Sequence, residues 1–171
     1  YNLLINDHID SPETLQEELD NVRGHLSEHP SDTLYSDVAH EMRVRGFEAG
    51  WGADVQTIAK RLAMLSRLID APDPPRFEDF LSWLPLVEKL VMVSPHGWFA
   101  QEDLLGKPDT GGQVTYVLDQ ARALERQMKA LFHDCGIEIT PSIVILTRLI
   151  PEAENTTCNI PREKVHGSEN V

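Results

Sequence analysis

Cysteine is nearly missing from this chain: Cys135 and Cys158 are the only two in 171 residues. Their spacing makes neither a metal-binding pair nor a redox motif, so two reduced thiols are expected. Long apolar runs are missing too. Stretches such as Ile143 to Leu146 are far too short to cross a bilayer. Positive charge is scarce: 15 Lys and Arg stand against 28 Asp and Glu, a formal net charge of −13. The acids are spread along the chain rather than gathered in a tail. Such a surface repels phosphate backbones and anionic lipid, which argues against nucleic acid and membrane as partners. A local backbone pocket for a small anion stays open. No clustered carboxylate metal motif is present, and no cofactor is expected. The opening YNLLINDHID lacks the basic start and apolar run of a signal peptide, and an initiator Met. The expectation is a cytoplasmic chain that is a piece of something longer.

What is present is a 41% hydrophobic composition, enough for a real core. Ser11-Pro12-Glu13 reads as a helix start, with N-cap, first helical proline and first-turn acid. Leu15, Leu19, Val22 and Leu26 follow at helical spacing until Pro30. A second helix is expected from about Ser31-Asp32, with Leu34, Tyr35, Val38, Ala39 and Met42 on one face. Gly46, Gly50 and Gly52 interrupt around Phe47 and Trp51. A third helix is expected from Asp54 to about Asp70, stopped by APDPP, and a short fourth from Phe77 to Trp83. Trp51 and Trp83 read as core anchors. The period then changes. VEKLVMVSP and PSIVILTRL are short apolar runs bounded by breakers, each read as a buried strand. Between them lies a long helix, about Gly111 to His133, with Val114, Val117, Leu118, Ala121, Leu124, Met128, Leu131 and Phe132 on its apolar face. Gly136 suits the position just past its end.

The order is therefore helical to about residue 85, then β-α-β. The expected class is α/β, with domains at 1–85 and 86–171. Two parallel strands do not make a stable, doubly covered sheet alone, so the sheet is expected to continue beyond this segment.

The stretch GKPDTGGQV ahead of the long helix poses the main question. A helix N-terminus presents unpaired N–H groups and partial positive charge, and glycine permits close approach to them. In a parallel sheet this loop sits at the carboxyl end of the first strand, where ligands bind. The local pattern fits two roles for Gly111 and Gly112, phosphate contact or a tight turn. It matches neither the dinucleotide nor the P-loop fingerprint. Ser94, Pro95, His96 and Gly97 are expected at the same edge. A histidine at a strand end is often a bonded core residue; its place beside the glycines favours a ligand role. Trp98 either shapes that loop or packs under it.

VSPHGWFAQEDLLGKPDTGGQVTYVLDQARALERQ closely resembles the sucrose synthase family of retaining glycosyltransferases with the GT-B fold. ILTRLIPEAENTTC resembles the stretch that follows in that family. LYSDVAHEMRVRGFEAGWGADVQTIAKRLAMLSRLIDAPDPPRFEDFLSWLP resembles the helical domain ahead of the catalytic part. The resemblance covers nearly the whole chain and is weaker after Cys158.

It implies a helical regulatory and assembly part, then the opening β-α-β of a Rossmann-like acceptor domain. It implies the reversible reaction of sucrose with a nucleoside diphosphate, UDP or ADP, to give nucleotide-glucose and fructose. No bound metal is required in that fold family. A homotetramer is implied. Gly111 and Gly112 would put backbone N–H groups beside the diphosphate. Asp109 would hold the loop or meet a sugar hydroxyl, and His96 and Gln113 would line the fructose side. Lys107 stands where plant relatives often carry an aromatic residue and receives no role. The family's catalytic histidine, its Arg–Lys pair and its ribose-binding glutamate are expected beyond Val171, so this segment alone is expected to be inactive. Two rivals remain. Sucrose-phosphate synthase shares DTGGQV but not SPHGWFAQ, LDQARALE or the helical domain. A non-catalytic helical interaction module is the other.

Two further patterns are read as ordinary surface. His25-Leu-Ser-Glu28-His29 fits an inverted zinc-protease signature, but Gly24 and Pro30 place it on a fraying helix end. Asp119, Arg122, Glu125 and Arg126 read as a solvated or subunit-facing charged face. His133 is read as serving the dipole of its helix.

Overall fold

The computed structural model describes residues 4–101 and 112–171. Asp109, Gly111 and Lys107 lie outside the described residues. The elements run α1 (Pro12–Leu26), α2 (Tyr35–Val44), α3 (Val55–Asp70), α4 (Pro74–Ser82), β1 (Lys89–Ser94), α5 (Gln113–Asp134) and β2 (Ser142–Thr147). This is a helical part followed by a small parallel sheet with its crossover helix, as the α/β reading expects. The chain divides into two compact units, Tyr1–Leu86 with Leu131–Glu138, and Val87–Ala130 with Ile139–Val171.

The first unit is built on local caps. Extended Ser11 accepts from the Thr14 N–H through Oγ at 3.1 Å and starts α1. Asp54 does the same for α3, accepting from the Thr57 N–H at 2.7 Å. Each satisfies a helix-start donor that would otherwise lack a partner. Leu19, Val22 and Leu26 of α1 pack with Val38 and Met42 of α2 and Ile58 and Leu62 of α3. Phe47 and Trp51 fill the centre, their rings 5.7 Å apart and edge-on. The Trp51 indole N–H donates to Leu4 O at 2.7 Å, so its polar atom is satisfied. Trp83 packs against the same core, and the Arg61 guanidinium lies 4.4 Å over its ring.

Two helix starts differ from expectation. α2 begins at Tyr35, not near Ser31, because Leu34 before it is held extended. Leu34 bridges Asp54 antiparallel, and Thr33 O accepts from the Val55 N–H at 2.9 Å. Leu34 is accordingly exposed, not part of the apolar face. α4 begins earlier, at Pro74, where proline's fixed φ and missing N–H suit a helix start.

The last turn of α5 belongs to this unit. Gly136 takes φ +68°. The Ile137 N–H donates to Phe132 O and the Gly136 N–H to His133 O, both at 2.9 Å, which is the Schellman stop. Arg61 Nη1 donates to Asp134 O at 3.4 Å, adding a cation at the negative helix end. His133, the histidine read as serving that dipole, is exposed and lies 3.6 Å from Asp134 Oδ1. His25 lies in the last turn of α1, whereas Glu28 and His29 fall beyond its end. The two rings meet edge-on at 4.8 Å. The pair therefore does not share one helical face.

In the second unit β1 and β2 pair in parallel, from Lys89 opposite Ser142 to Ser94 opposite Thr147. Ile145 packs against Val114 and Leu118 of α5, which join Val165 in one cluster. The strands are not buried on both faces. Val91, Val93, Val144 and Leu146 are 59%, 65%, 51% and 57% exposed. They alternate with covered neighbours, because side chains of a strand point to opposite faces. The two-stranded sheet has its α5 side covered, and among the described residues the other side is open.

Candidate functional site

A parallel strand delivers its carboxyl end to the edge where the following helix begins. β1 ends there with Ser94, followed by Pro95, His96 and Gly97. Gly97 takes φ +69°, a left-handed turn that suits glycine and redirects the chain after the strand. His96 is exposed and has no hydrogen-bond partner among the described residues. The core-histidine alternative is not met. The Ser94 hydroxyl is buried, the residue being 4% exposed, and its oxygen has no hydrogen-bond partner among the described residues.

Gly112 immediately precedes α5, and its carbonyl accepts the Tyr116 N–H at 3.0 Å. It is therefore the N-cap residue rather than a residue inside the helix. It is not in the left-handed region, and a Cβ built on it meets nothing within 4 Å among the described residues. Gln113, the first residue of the helix, is exposed. Gly111 and Asp109 lie outside the described residues, so the geometry described is that of His96, Gly112 and Gln113.

Past the strand end, the chain is held from both sides. Ala100 is buried with Ile150 and Cys158, and Trp98 packs against that cluster. Cys158 Sγ donates to Phe99 O at 3.4 Å.

The charged face of α5 is not a free surface. Arg122 pairs with Asp119 at 2.8 Å, and its Nε donates to His166 O at 2.8 Å. Glu125 is only 4% exposed. Its carboxylate accepts the backbone N–H of Asn170 at 2.7 Å and of Glu169 at 3.0 Å, and Lys129 stands 3.3 Å away. Lys129 also pairs with Glu169. Spacing along α5 shows four charges on one side but not what they face, because the partners lie 44 and 45 residues on.

Burial acts to raise the Glu125 pKa, but the two backbone donors and Lys129 outweigh it, so the carboxyl titrates below its ordinary range. Its stabilisation is complete above about pH 4.3 and is lost as pH falls through the lowered folded value. Glu125→Gln is expected to cost about 1–2 kcal/mol at pH 7, with the gap to wild type closing toward pH 3. Denaturation midpoints of the two proteins at several pH values check this.

A groove also runs along β2 and the 157–165 segment, with Arg148, Arg162 and Lys164 in its lining. His96, Gly112 and Gln113 are not part of that lining. The candidate site is the strand end, the edge at which the β-α-β topology puts both the residues after β1 and the start of α5. What this edge can do chemically is bind an anion at backbone N–H groups and hydrogen-bond a polyol. Among the described residues no helix is long and apolar enough to cross a membrane.

Comparison with known proteins gives the family. The sucrose synthase first GT-B domain matches residues 75–171, and the sucrose synthase EPBD domain matches residues 1–53. Sucrose synthase isoform 2 of Daucus carota is 46% identical over 167 residues, covering 98% of this chain and 21% of its own length. Sucrose synthase 2 of Pisum sativum is 46% identical over 167 residues, with the same coverage. Sucrose synthase of Thermosynechococcus vestitus is 44% identical over 174 residues, covering all of this chain and 22% of its own length. The chain spans about a fifth of the length of these curated relatives. With its β-α-β opening lying inside the matched GT-B domain, the chain belongs to the sucrose synthase family.

Proposed function

We propose that the full-length protein is a retaining glycosyltransferase that moves glucose reversibly between sucrose and a nucleoside diphosphate, UDP or ADP, releasing fructose. The observation that carries this reading is Gly112. It stands at the N-cap of a 22-residue helix, at the edge of a parallel sheet where ligands bind, with no described atom within 4 Å of where a side chain would be. Backbone N–H groups there, with those of Gly111, would face the diphosphate. His96 and Gln113 would line the fructose side, with Asp109 beside them. The chemistry of the remaining steps belongs to groups outside this segment. We further read residues 1–85 as a helical regulatory and assembly part and 86–171 as the start of the acceptor domain. The whole would be a cytoplasmic homotetramer.

The test is fructose release from sucrose by the full-length protein with UDP or ADP supplied. Release that needs the nucleotide supports the reading, and its absence sinks it. In the synthetic direction, fructose 6-phosphate replacing fructose as the better acceptor would assign the protein to sucrose-phosphate synthesis instead.

His96→Ala tests the acceptor side within that assay. The expected result is a fall of about tenfold or more in kcat/KM for fructose, with the nucleotide KM within about twofold. Unchanged fructose kinetics in a folded variant would make His96 a bystander.

A further inference from the structure

Gln101 ends the SPHGWFAQ motif and has no role in the reading above. Its side-chain amide is used at both ends. Nε2 donates to Lys164 O at 3.0 Å, and Oε1 accepts the His166 N–H at 2.5 Å. Lys164 and His166 are two apart, so the amide imitates one rung of a strand ladder against the 164–170 segment. That segment is in turn fastened to α5. Arg122 Nε holds His166 O, and Glu125 holds the N–H groups of Glu169 and Asn170. On the near side, Gln101 follows Ala100, buried against Ile150 and Cys158. The segment after β1 and the helix that begins at Gln113 are therefore bonded to the same few residues of the 164–170 segment.

We propose that Gln101 is a positioning residue for the fructose side of the site. Through the 164–170 segment it holds the arm that carries His96 in fixed register with the helix that Gly112 caps. It acts through backbone groups and touches no reacting atom. This inference rests on the function proposed above. A partly exposed glutamine with two backbone bonds contributes little to stability in a protein of this size. A displacement of about 1 Å in a reacting geometry can cost up to about a hundredfold in rate. A positioning role therefore shows in kinetics and hardly in melting temperature.

The test uses the full-length protein, sucrose and UDP or ADP, with two variants. Gln101→Met keeps the length and removes both hydrogen bonds. Gln101→Glu keeps the acceptor for the His166 N–H and can donate to Lys164 O only when protonated. For Gln101→Met the expected result is a fall of about tenfold in kcat/KM for sucrose, with the nucleotide KM within about twofold and the melting temperature nearly unchanged. For Gln101→Glu it is a smaller loss at pH 8 that recovers, relative to wild type at each pH, as pH falls toward the carboxyl range. Wild-type kinetics in a folded Gln101→Met overturn the proposal. So does a loss in both variants that follows the folded fraction and shows no recovery at low pH. Wild-type protein with no sucrose cleavage overturns the functional reading itself, a distinct outcome.

Discussion

Gly112→Ala in the full-length protein is expected to lower kcat/KM for the nucleotide by ten- to a hundredfold, on the order of 1.5–3 kcal/mol of lost charged hydrogen bonding. The structure makes this a clean test, because the substitution has little to disturb in the fold. Among the described residues a Cβ at this position meets no atom within 4 Å, and the backbone is not in the left-handed region. From the local pattern, Ala would be neutral or favourable, as it is inside a helix. Its N-cap position reverses the sign: Ala caps a helix less well than Gly, by roughly 0.5–1 kcal/mol. Gly112→Ser separates the two effects. A serine hydroxyl is a better cap than glycine by a few tenths of a kcal/mol, so this variant is expected to melt slightly higher than wild type. It still carries a Cβ toward the bound anion, so its nucleotide kinetics are expected to fall with those of Ala. Melting curves and steady-state kinetics on the same preparations decide. Normal kcat/KM in both variants would mean that Gly112 serves the helix alone.

Gly136→Ala is expected to destabilise the first unit by about 3 kcal/mol or more, the largest effect on stability among these predictions. Two costs add. The residue sits at φ +68°, where an L side chain costs about 1–2 kcal/mol. A Cβ there would also lie 2.5 Å from Gly52 O, a backbone atom that cannot rotate away. Making room requires moving the Gly52–Ala53 backbone, and the Ala53 N–H already donates to Asp134 O at 3.2 Å. Gly136→Asn separates strain from crowding. Asparagine tolerates the left-handed conformation but brings the same Cβ. If crowding dominates, Asn loses nearly as much as Ala; if backbone strain dominates, Asn recovers most of the loss. Denaturation midpoints measure both, and a cost below about 1 kcal/mol for Ala would show that the close packing on Gly52 is not maintained in solution.

The sequence by itself determined the caps at Ser11 and Asp54, the stop at Gly136, the apolar faces of the helices and the strand–helix–strand order. Each of these is set by residues within about four positions of one another, the range over which one helical turn communicates. The family was readable for a different reason: SPHGWFAQ and DTGGQV form a long joined motif, specific whatever their geometry. Tertiary structure decided the rest. α2 starts late because Leu34 bridges Asp54 and Thr33 bonds Val55, partners about 20 residues on. The uninterrupted apolar strands suggested burial on two faces, yet burial depends on which layers are present, and among the described residues one face of this sheet is uncovered. Glu125 looked like one more acid on a solvated helix face. Its burial comes from a segment more than 40 residues later folding back to place two N–H groups on it. Gln101 carried no local signal either, for its two bonds span 63 and 65 residues. A side chain's own neighbours in sequence limit which conformations it can adopt. What it finally hydrogen-bonds to is set by chain closure over distances that leave no periodic trace.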